Sequence, residues 1–334
     1  MFNKIVHYTP QWHTQLLQYM KLVYPKRNIN YLKWWLSNIN ISNSDCWRNC
    51  IIVLDDETII GCTSVNEVSL IVNGIKEVFY FRGNTIISPN YRGKGISKVI
   101  YNSVNSYNNW ISVGVTDIAW KIQPKYVKNF TPLRPINVYI TLNFSIIKQA
   151  LYKCLHRQLS SSTFPDCLAI SSDEKIIKVN DVAQMVIPKD GKWTSDEIEF
   201  TRDIDFFRKR YVDIYCADRY GIYQYMSKGR SIGYVVLRKI VYKGLDMVSL
   251  VDYRFFSRIE EIKAFKAASI FAKHSGIGFV ITLSSRKYGF CLKPLTIKMK
   301  KELNCAVGMN NLRDGFNDTL ITSADSDLDF VYYK

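Results

Sequence analysis

Residues 85–101 read Thr-Ile-Ile-Ser-Pro-Asn-Tyr-Arg-Gly-Lys-Gly-Ile-Ser-Lys-Val-Ile-Tyr and carry the most informative pattern in the chain. Its pattern predicts an apolar strand up to Ser88, a loop with two glycines, and a helix that begins near Gly95. Glycine is required where the backbone takes a positive φ or approaches a ligand closely. Such a loop points several N–H groups into one concavity, and the start of the helix adds partial positive charge. The stretch therefore predicts a cradle for a pyrophosphate group.

Two other phosphate-binding loops do not fit this stretch. A Walker A loop needs the pattern G-x-x-x-x-G-K-[ST], which is absent here. A dinucleotide fingerprint needs G-x-G-x-x-G after the first parallel strand. Here the third glycine is missing, and the preceding segments predict an antiparallel meander rather than a parallel sheet.

Upstream of the loop, the sequence predicts two helices and then hairpins. Thr9 is a plausible N-cap before Pro10, and a second short helix is expected to carry Tyr31–Leu36. The period then changes to that of strands. Turns are predicted at Asp55–Glu57 and at Asn73-Gly74, which is the dipeptide typical of a type I′ hairpin.

The second half of the chain repeats this order. A hairpin is predicted around 222–237, a capping box at Ser257 and Glu260 begins a helix, and a strand at Ile277–Leu283 closes the unit. We therefore expect an α+β (mixed α/β) protein of two domains, residues 1–160 and residues 161–334. Each is expected to be a mostly antiparallel mixed sheet flanked by helices.

Composition supports a folded protein of this size. The chain has 334 residues, about twice a typical domain, and 47% of them are hydrophobic. The 22 Tyr and 17 Phe residues exclude general disorder. No apolar run approaches the roughly 18 residues of a membrane helix, and the first residues lack the long apolar segment of a signal peptide. Eight scattered cysteines and four isolated histidines predict reduced thiols and no metal site. These features favour a cytoplasmic location.

The net charge of +16 lies mostly in the first half, where 18 Lys and Arg residues stand against 7 acidic ones over residues 1–160. A basic domain favours ligands that carry phosphate or acidic groups. No run of five basic residues occurs, so the sequence does not favour a nucleic acid partner, with tRNA as the one exception.

Residues 85–101 resemble motif A of the GNAT superfamily of acyl-CoA-dependent N-acyltransferases. The signature Arg/Gln-x-x-Gly-x-Gly/Ala corresponds to Arg92-Gly93-Lys94-Gly95-Ile96-Ser97, with Ser97 as a small-residue departure. The resemblance covers about residues 1–150. It implies that residues 93–97 bind the pyrophosphate of CoA through backbone N–H groups, with charge from Arg92 and Lys94. It also implies that Ile86 and Ile87 pair with the pantetheine arm.

The catalytic residues match the family less well. Family members often carry a Glu on the strand before the loop, but that place falls near Phe81-Arg82, and Glu77 is the nearest carboxylate on the strand. A tyrosine that protonates the leaving thiolate follows the next strand in many members. Here that pattern is broken, and Tyr126 is the nearest candidate. We therefore expect Glu77 to contribute at most from a distance, with deprotonation of the acceptor through water.

The resemblance implies two GNAT-like domains, of which the second is degenerate because it lacks a glycine loop. We expect an acetyltransferase that uses acetyl-CoA as co-substrate and acts on an amino sugar, a small amine or a peptide amine. One alternative is a Fem-like aminoacyl transferase that uses charged tRNA. Another is a non-catalytic CoA-binding module, because the acid and tyrosine positions are broken.

Overall fold

The computed structural model describes residues 4–33, 50–154, 164–188, 197–242, 244–288, 295–309 and 318–325. The strands are β1 Lys4–His7, β2 Cys50–Asp55, β3 Thr58–Val72, β4 Ile75–Ile87, β5 Trp110–Val115, β6 Phe130–Leu142, β7 Cys167–Ala169, β8 Glu174–Lys178, β9 Glu197–Phe200, β10 Tyr220–Ser227, β11 Arg230–Tyr242, β12 Leu245–Phe255, β13 Phe279–Ser284, β14 Thr296–Gly308 and β15 Asp318–Leu320. The α-helices are α1 His13–Val23, α2 Ile96–Val104, α3 Asp117–Tyr126, α4 Ser145–Cys154, α5 Ile204–Phe207 and α6 Ile262–His274.

The chain forms two compact units that interleave along the sequence. Unit 1 takes Met1–Leu70, Lys76–Arg134 and Leu303–Gly315, and unit 2 takes the remaining ranges. The units therefore do not follow a single cut at residue 160. The functional assignment of residues 1–160 and 161–334 stays a prediction.

In unit 1, the described strands follow the order β1-β2-β3-β4-β5-β14. The pairs β1–β2, β2–β3 and β5–β14 are antiparallel, whereas β4–β5 is parallel. Helix α2 packs Ile96 and Ile100 against Val53 and Ile60 of the sheet. The mixed α/β class predicted from the sequence is confirmed.

In unit 2, the described strands follow the order β6-β13-β12-β11-β10-β8-β7. The β12–β13 pair is parallel, and its neighbours β11–β12 and β6–β13 are antiparallel. Helix α6 supplies the centre of the core, with Phe265, Ala268 and Phe271 fully buried. Each unit thus contains a meander, a helix, a strand parallel to the last strand of the meander, and an antiparallel neighbour.

The two antiparallel neighbours are exchanged along the chain. Strand β6 follows the strands of unit 1 in sequence but pairs with β13 in unit 2, with Ile140 opposite Ile281. Strand β14 follows β13 in sequence but pairs with β5 in unit 1, with Cys305 opposite Val113. In each unit, the second strand of the parallel pair therefore has an antiparallel neighbour that is far from it in sequence.

Two glycines occupy matching places in the two meanders. A Cβ on Gly61 would lie 3.3 Å from the carbonyl oxygen of Ile86, and one on Gly233 would overlap the carbonyl oxygen of Arg254. Ile86 is on β4 and Arg254 is on β12, the strand before the helix in each unit. Each glycine therefore allows a close approach that a side chain would obstruct.

The predicted hairpins are confirmed, whereas the predicted helix starts at Thr9 and at Ser257 need correction. Asp56, Asn73 and Gly74 all take positive φ in the predicted turns. Thr9 precedes a 3₁₀ turn before α1 and makes no side-chain cap. The capping box is wrong, since Ser257 caps nothing with its side chain and Glu260 instead accepts from Lys263 at 3.2 Å. The helix expected over Tyr31–Leu36 is helical at residues 29–33, and its remainder lies outside the described residues.

Candidate functional site

Strands β4 and β5 pair over a short length and then separate. Their parallel register joins Tyr80 to Trp110 and Phe81 to Ile111, and no further pair follows within the two strands. Asn84 takes a positive φ of 50°, which marks an irregularity in β4 just after the separation begins. This leaves a gap in the strand pairing along the β5-facing edge of β4 from Arg82 onward, directly before the glycine loop.

The glycine loop has the backbone shape that the sequence predicts. Gly93 has φ +78° and Gly95 has φ +83°, both in the left-handed region that favours glycine. A Cβ at either position would meet no atom within 4 Å, so the loop borders open space. Gly95 is the N-cap of α2 and supplies no side-chain cap. The first N–H groups of α2, starting at Ile96 and Ser97, thus lack an intrahelical partner and suit an anion.

The charged side chains of the loop are exposed. Arg92 is anchored at the end of β4, where its Nε donates to the carbonyl oxygen of Ile87 at 3.4 Å. The Nζ atom of Lys94 lies 4.8 Å from the centroid of the Tyr91 ring. The Tyr91 hydroxyl donates to Asp55 at 2.7 Å, and this hydrogen bond raises the pKa of Tyr91. Both cations thus stand beside the open N-terminus of α2.

The two residues predicted to pair with a pantetheine arm lie at the end of β4. Ile86 is buried and Ile87 is half-buried. The next residue, Ser88, donates its N–H to Ile60 at 2.9 Å, which ties this end of β4 to β3. The opposite edge of β4 faces the gap. An extended ligand could use that edge as a strand would.

The structure does not bring the two candidate catalytic residues together at the gap. Glu77 is half-buried near the start of β4, before the pair Tyr80–Trp110, and so lies on the far side of that pair from the loop. Tyr126 is the last residue of α3 and packs with the cluster around Trp110. Lys98 of α2 lies 5.9 Å from the ring of Tyr126, so this tyrosine stands near the helix that begins at the loop.

A buried polar cluster that sequence reasoning did not assign lies where β4 and β5 separate. Arg82 on β4 is 6% exposed, and its guanidinium stacks on Trp110. Its Nη2 donates to Ser112 on β5 at 3.4 Å. Tyr101 of α2 and Gln123 of α3 are also buried. Burial lowers the pKa of Arg82 to about 9, a value that still leaves it charged at neutral pH.

The sequence carried one signal for this cluster. Arg82 is a charged residue two positions after Tyr80 in a strand, so both side chains belong to the same face of the sheet. Its burial depends on Trp110, Tyr101 and Gln123, which come from three later elements. The local sequence pattern could single out Arg82, but it could not predict which residues surround its side chain.

Unit 2 has no comparable loop at the corresponding junction. Strand β12 ends at Phe255 and a 3₁₀ turn starts at Arg258, with no positive-φ glycine between them. Side chains of unit 2 pack around this junction. Tyr253 donates to Ser284 at 2.9 Å, and Tyr288 donates to Glu261 at 3.2 Å.

The described residues contain no group of three or more His, Cys, Asp or Glu side chains placed to hold a metal ion. In the same part of the chain, no helix is both long and apolar enough to cross a membrane. Cys50 and Cys62 are buried free thiols on neighbouring strands.

No family model matches the sequence, and no curated protein matches it. Solved structures do share its fold. A GCN5-related N-acetyltransferase from Anabaena variabilis has a TM-score of 0.59 at 11% identity, over 91% of this chain and 72% of that one. A probable N-acyltransferase from Enterococcus faecalis has a TM-score of 0.60 at 12% identity, over 91% and 72%. N-Myristoyltransferase from Saccharomyces cerevisiae, solved with bound myristoyl-CoA, has a TM-score of 0.57 at 12% identity, over 95% and 84%. The chain therefore has the fold of the GCN5-related N-acetyltransferases and of N-myristoyltransferase.

Proposed function

We propose that this protein is an acyl-CoA-dependent N-acyltransferase with one cofactor loop, in unit 1. The observation that carries the proposal is the pair Gly93 and Gly95, which turn the chain from β4 into α2 and leave open space before uncapped N–H groups. That geometry suits a pyrophosphate. The solved structures of similar fold include one with a bound acyl-CoA, which supports a CoA ester as the ligand.

The gap beside β4 suits the rest of such a donor. The unpaired edge after Phe81 leads from the separation of β4 and β5 toward the loop. A pantetheine arm hydrogen-bonded along Ile86 and Ile87 would place the thioester near the point of separation. We propose acetyl-CoA as the donor and an amine as the acceptor.

In the proposed reaction, the lone pair of the acceptor amine attacks the thioester carbonyl carbon. The C–N bond forms and the C–S bond breaks, and the thiolate of CoA leaves and takes a proton. Alignment of the amine and the thioester supplies much of the acceleration. Tyr126 is the proposed proton donor to the thiolate, and the amine loses its proton through water with at most a distant contribution from Glu77.

The experiment is a turnover assay of the full chain with acetyl-CoA and a panel of amino sugars, small amines and peptides, read by release of the free CoA thiol. The proposal expects acceptor-dependent release of the thiol. Binding of CoA without turnover on any amine would favour the non-catalytic CoA-binding module. The missing carboxylate near Phe81-Arg82 supports that alternative. Salt-sensitive binding of tRNA in a filter assay, with no binding of CoA, would favour the aminoacyl transferase.

A further inference from the structure

Arg82 is a buried cation whose hydrogen-bonding capacity is mostly unused. Its side chain is 6% exposed, and Nε and Nη1 have no hydrogen-bond partner among the described residues. Nε carries one N–H and Nη1 carries two. The remaining nitrogen, Nη2, makes only a long bond of 3.4 Å to Ser112.

A buried guanidinium normally has a carboxylate partner, because an unpaired buried charge is costly. The ion pairs of unit 2 follow that rule, as Arg202 contacts Asp252 at 2.8 Å and Asp325 at 2.5 Å. Arg82 has no such ion pair with a described carboxylate. Its charge meets the face of Trp110 instead, at 3.5 Å from the ring centroid. The stack leaves the N–H groups at the edge of the guanidinium without acceptors.

Other polar side chains lie around Arg82 within an otherwise apolar cluster. Tyr101 is buried next to it, and the pKa of the phenol is raised by burial and lowered in part by hydrogen bonds with Gln123 and Thr85. The Oε1 atom of Gln123 is a further buried atom without a hydrogen-bond partner among the described residues. These polar groups lie where β4 leaves β5, the point that a thioester would reach under the proposed function.

We propose that Arg82 binds a carboxylate group of a substrate beside the thioester. The inference rests on the proposed function, since that function brings a substrate to the separation of β4 and β5. A carboxylate supplies both the charge and the planar acceptors that the free N–H groups of Arg82 lack. The carboxylate has two possible sources. With acetyl-CoA as the donor, it belongs to an acceptor such as an amino acid. Otherwise it belongs to the acyl group of the donor, which is then a short dicarboxylic acyl-CoA in place of acetyl-CoA.

The first arm of the experiment compares donors of equal length. Isothermal titration calorimetry measures the binding of succinyl-CoA and butyryl-CoA to the full chain and to Arg82→Met and Arg82→Lys. If the donor carries the carboxylate, the wild type binds succinyl-CoA about 10- to 100-fold more tightly than butyryl-CoA. Arg82→Met loses this preference, and Arg82→Lys keeps part of it.

The second arm compares acceptors of equal shape. Acetyl-CoA turnover is measured with L-amino acids and with their amides, which lack the carboxylate. If the acceptor carries the carboxylate, the wild type prefers the acids in kcat/KM by a similar factor, and Arg82→Met removes the preference. If Arg82 had a purely structural role, its replacement would lower the affinity for both CoA esters equally and the kcat/KM for both acceptors equally. The preference for the carboxylate would then be unchanged in each arm.

Arg92→Met is the matched control, because Arg92 is an exposed arginine of the loop that follows β4. Arg92→Met should weaken the binding of succinyl-CoA and of butyryl-CoA by the same factor, since both esters carry the same phosphates. The inference is overturned if the wild type prefers the carboxylate in neither arm, or if Arg82→Met keeps the preference. Binding of succinyl-CoA and butyryl-CoA with equal affinity separates this outcome from failure of the proposed function, in which neither CoA ester binds.

Discussion

The guanidinium carbon of Arg82 lies 3.5 Å from the centroid of the Trp110 ring, so unit 1 stacks a buried cation on an aromatic face. A desolvated cation–π contact stabilises by about 2 kcal/mol. Burial of an unpaired ion costs several kcal/mol. The stack therefore offsets only part of the cost, which agrees with the lowering of the Arg82 pKa to about 9.

The stability of the protein should depend on pH through Arg82. Its folded pKa of about 9 lies well below the ordinary value of a guanidinium, so the folded state releases this proton first as the pH rises. Stability rises with pH wherever the unfolded state binds more protons. We expect the free energy of unfolding of the wild type to increase relative to Arg82→Met above about pH 9. Urea denaturation at pH 7 to 10.5 measures this difference. Arg92→Met serves as the control, and a difference that does not change with pH would refute the expectation.

The stability of unit 2 should depend strongly on Asp252. This carboxylate is fully buried and accepts from Arg202, Tyr234 and Thr322. Burial raises the pKa of Asp252, but Arg202 outweighs burial and the pKa lies below its usual value. Removal of one partner of a buried ion pair costs about 3–5 kcal/mol. We expect Asp252→Asn to lose about that much stability in urea denaturation.

The exposed Asp218 provides the comparison, since Asp218→Asn should cost less than about 0.5 kcal/mol. Because the folded pKa of Asp252 is depressed, its contribution is present above the unfolded pKa and is lost as the pH falls through the folded pKa. The stability gap between wild type and Asp252→Asn should therefore narrow below about pH 4. A gap that widens in acid would contradict the assigned pairing.

Glu77 should matter little to turnover. It lies before the paired residues of β4, away from the loop. A direct general base contributes about 10²–10⁴-fold. We expect Glu77→Gln to lower kcat/KM by less than about tenfold, measured against pH with any amine that turns over. A thousandfold loss, with the acidic limb of the pH profile gone, would identify Glu77 as the direct base.

Tyr126→Phe should lower kcat/KM more than Glu77→Gln does if the tyrosine protonates the leaving thiolate. Its ring is held at the end of α3 near Lys98, and the Phe variant keeps that packing while it removes the hydroxyl. We expect a loss of about 10²-fold in kcat/KM, with binding of CoA unchanged in calorimetry. Equal kcat/KM values for Tyr126→Phe and the wild type would exclude the tyrosine as proton donor.

The sequence predicted the features that depend on neighbouring residues. The Asn73-Gly74 turn, the positive φ of Gly93 and Gly95 and the helix that starts after Gly95 all follow from local backbone preferences. The repeated meander also appeared as a pattern, and the matching environments of Gly61 and Gly233 agree with it.

Features that depend on distant residues could not be predicted in this way. The exchange of β6 and β14 joins Val113 to Cys305, and no local pattern specifies such a partner. The capping box failed because Glu260 has a competing partner in Lys263. The buried setting of Arg82 likewise requires the positions of α2 and α3, which the sequence alone does not give.

If the loop from Arg92 to Ser97 holds the phosphates of a CoA ester, a negative charge placed in that loop should prevent binding, and one pair of variants isolates this effect. Gly95→Glu and Gly229→Glu both place a carboxylate at a positive-φ glycine with open space around it. Both should therefore cost similar backbone strain, but only Gly95 lies at the N-terminus of α2.

The measurement is the binding of acetyl-CoA to the wild type and to both variants by isothermal titration calorimetry, with thermal unfolding to show that each is folded. We predict that the wild type and Gly229→Glu bind acetyl-CoA with equal affinity and that folded Gly95→Glu does not bind it. Unchanged affinity in Gly95→Glu would contradict the account.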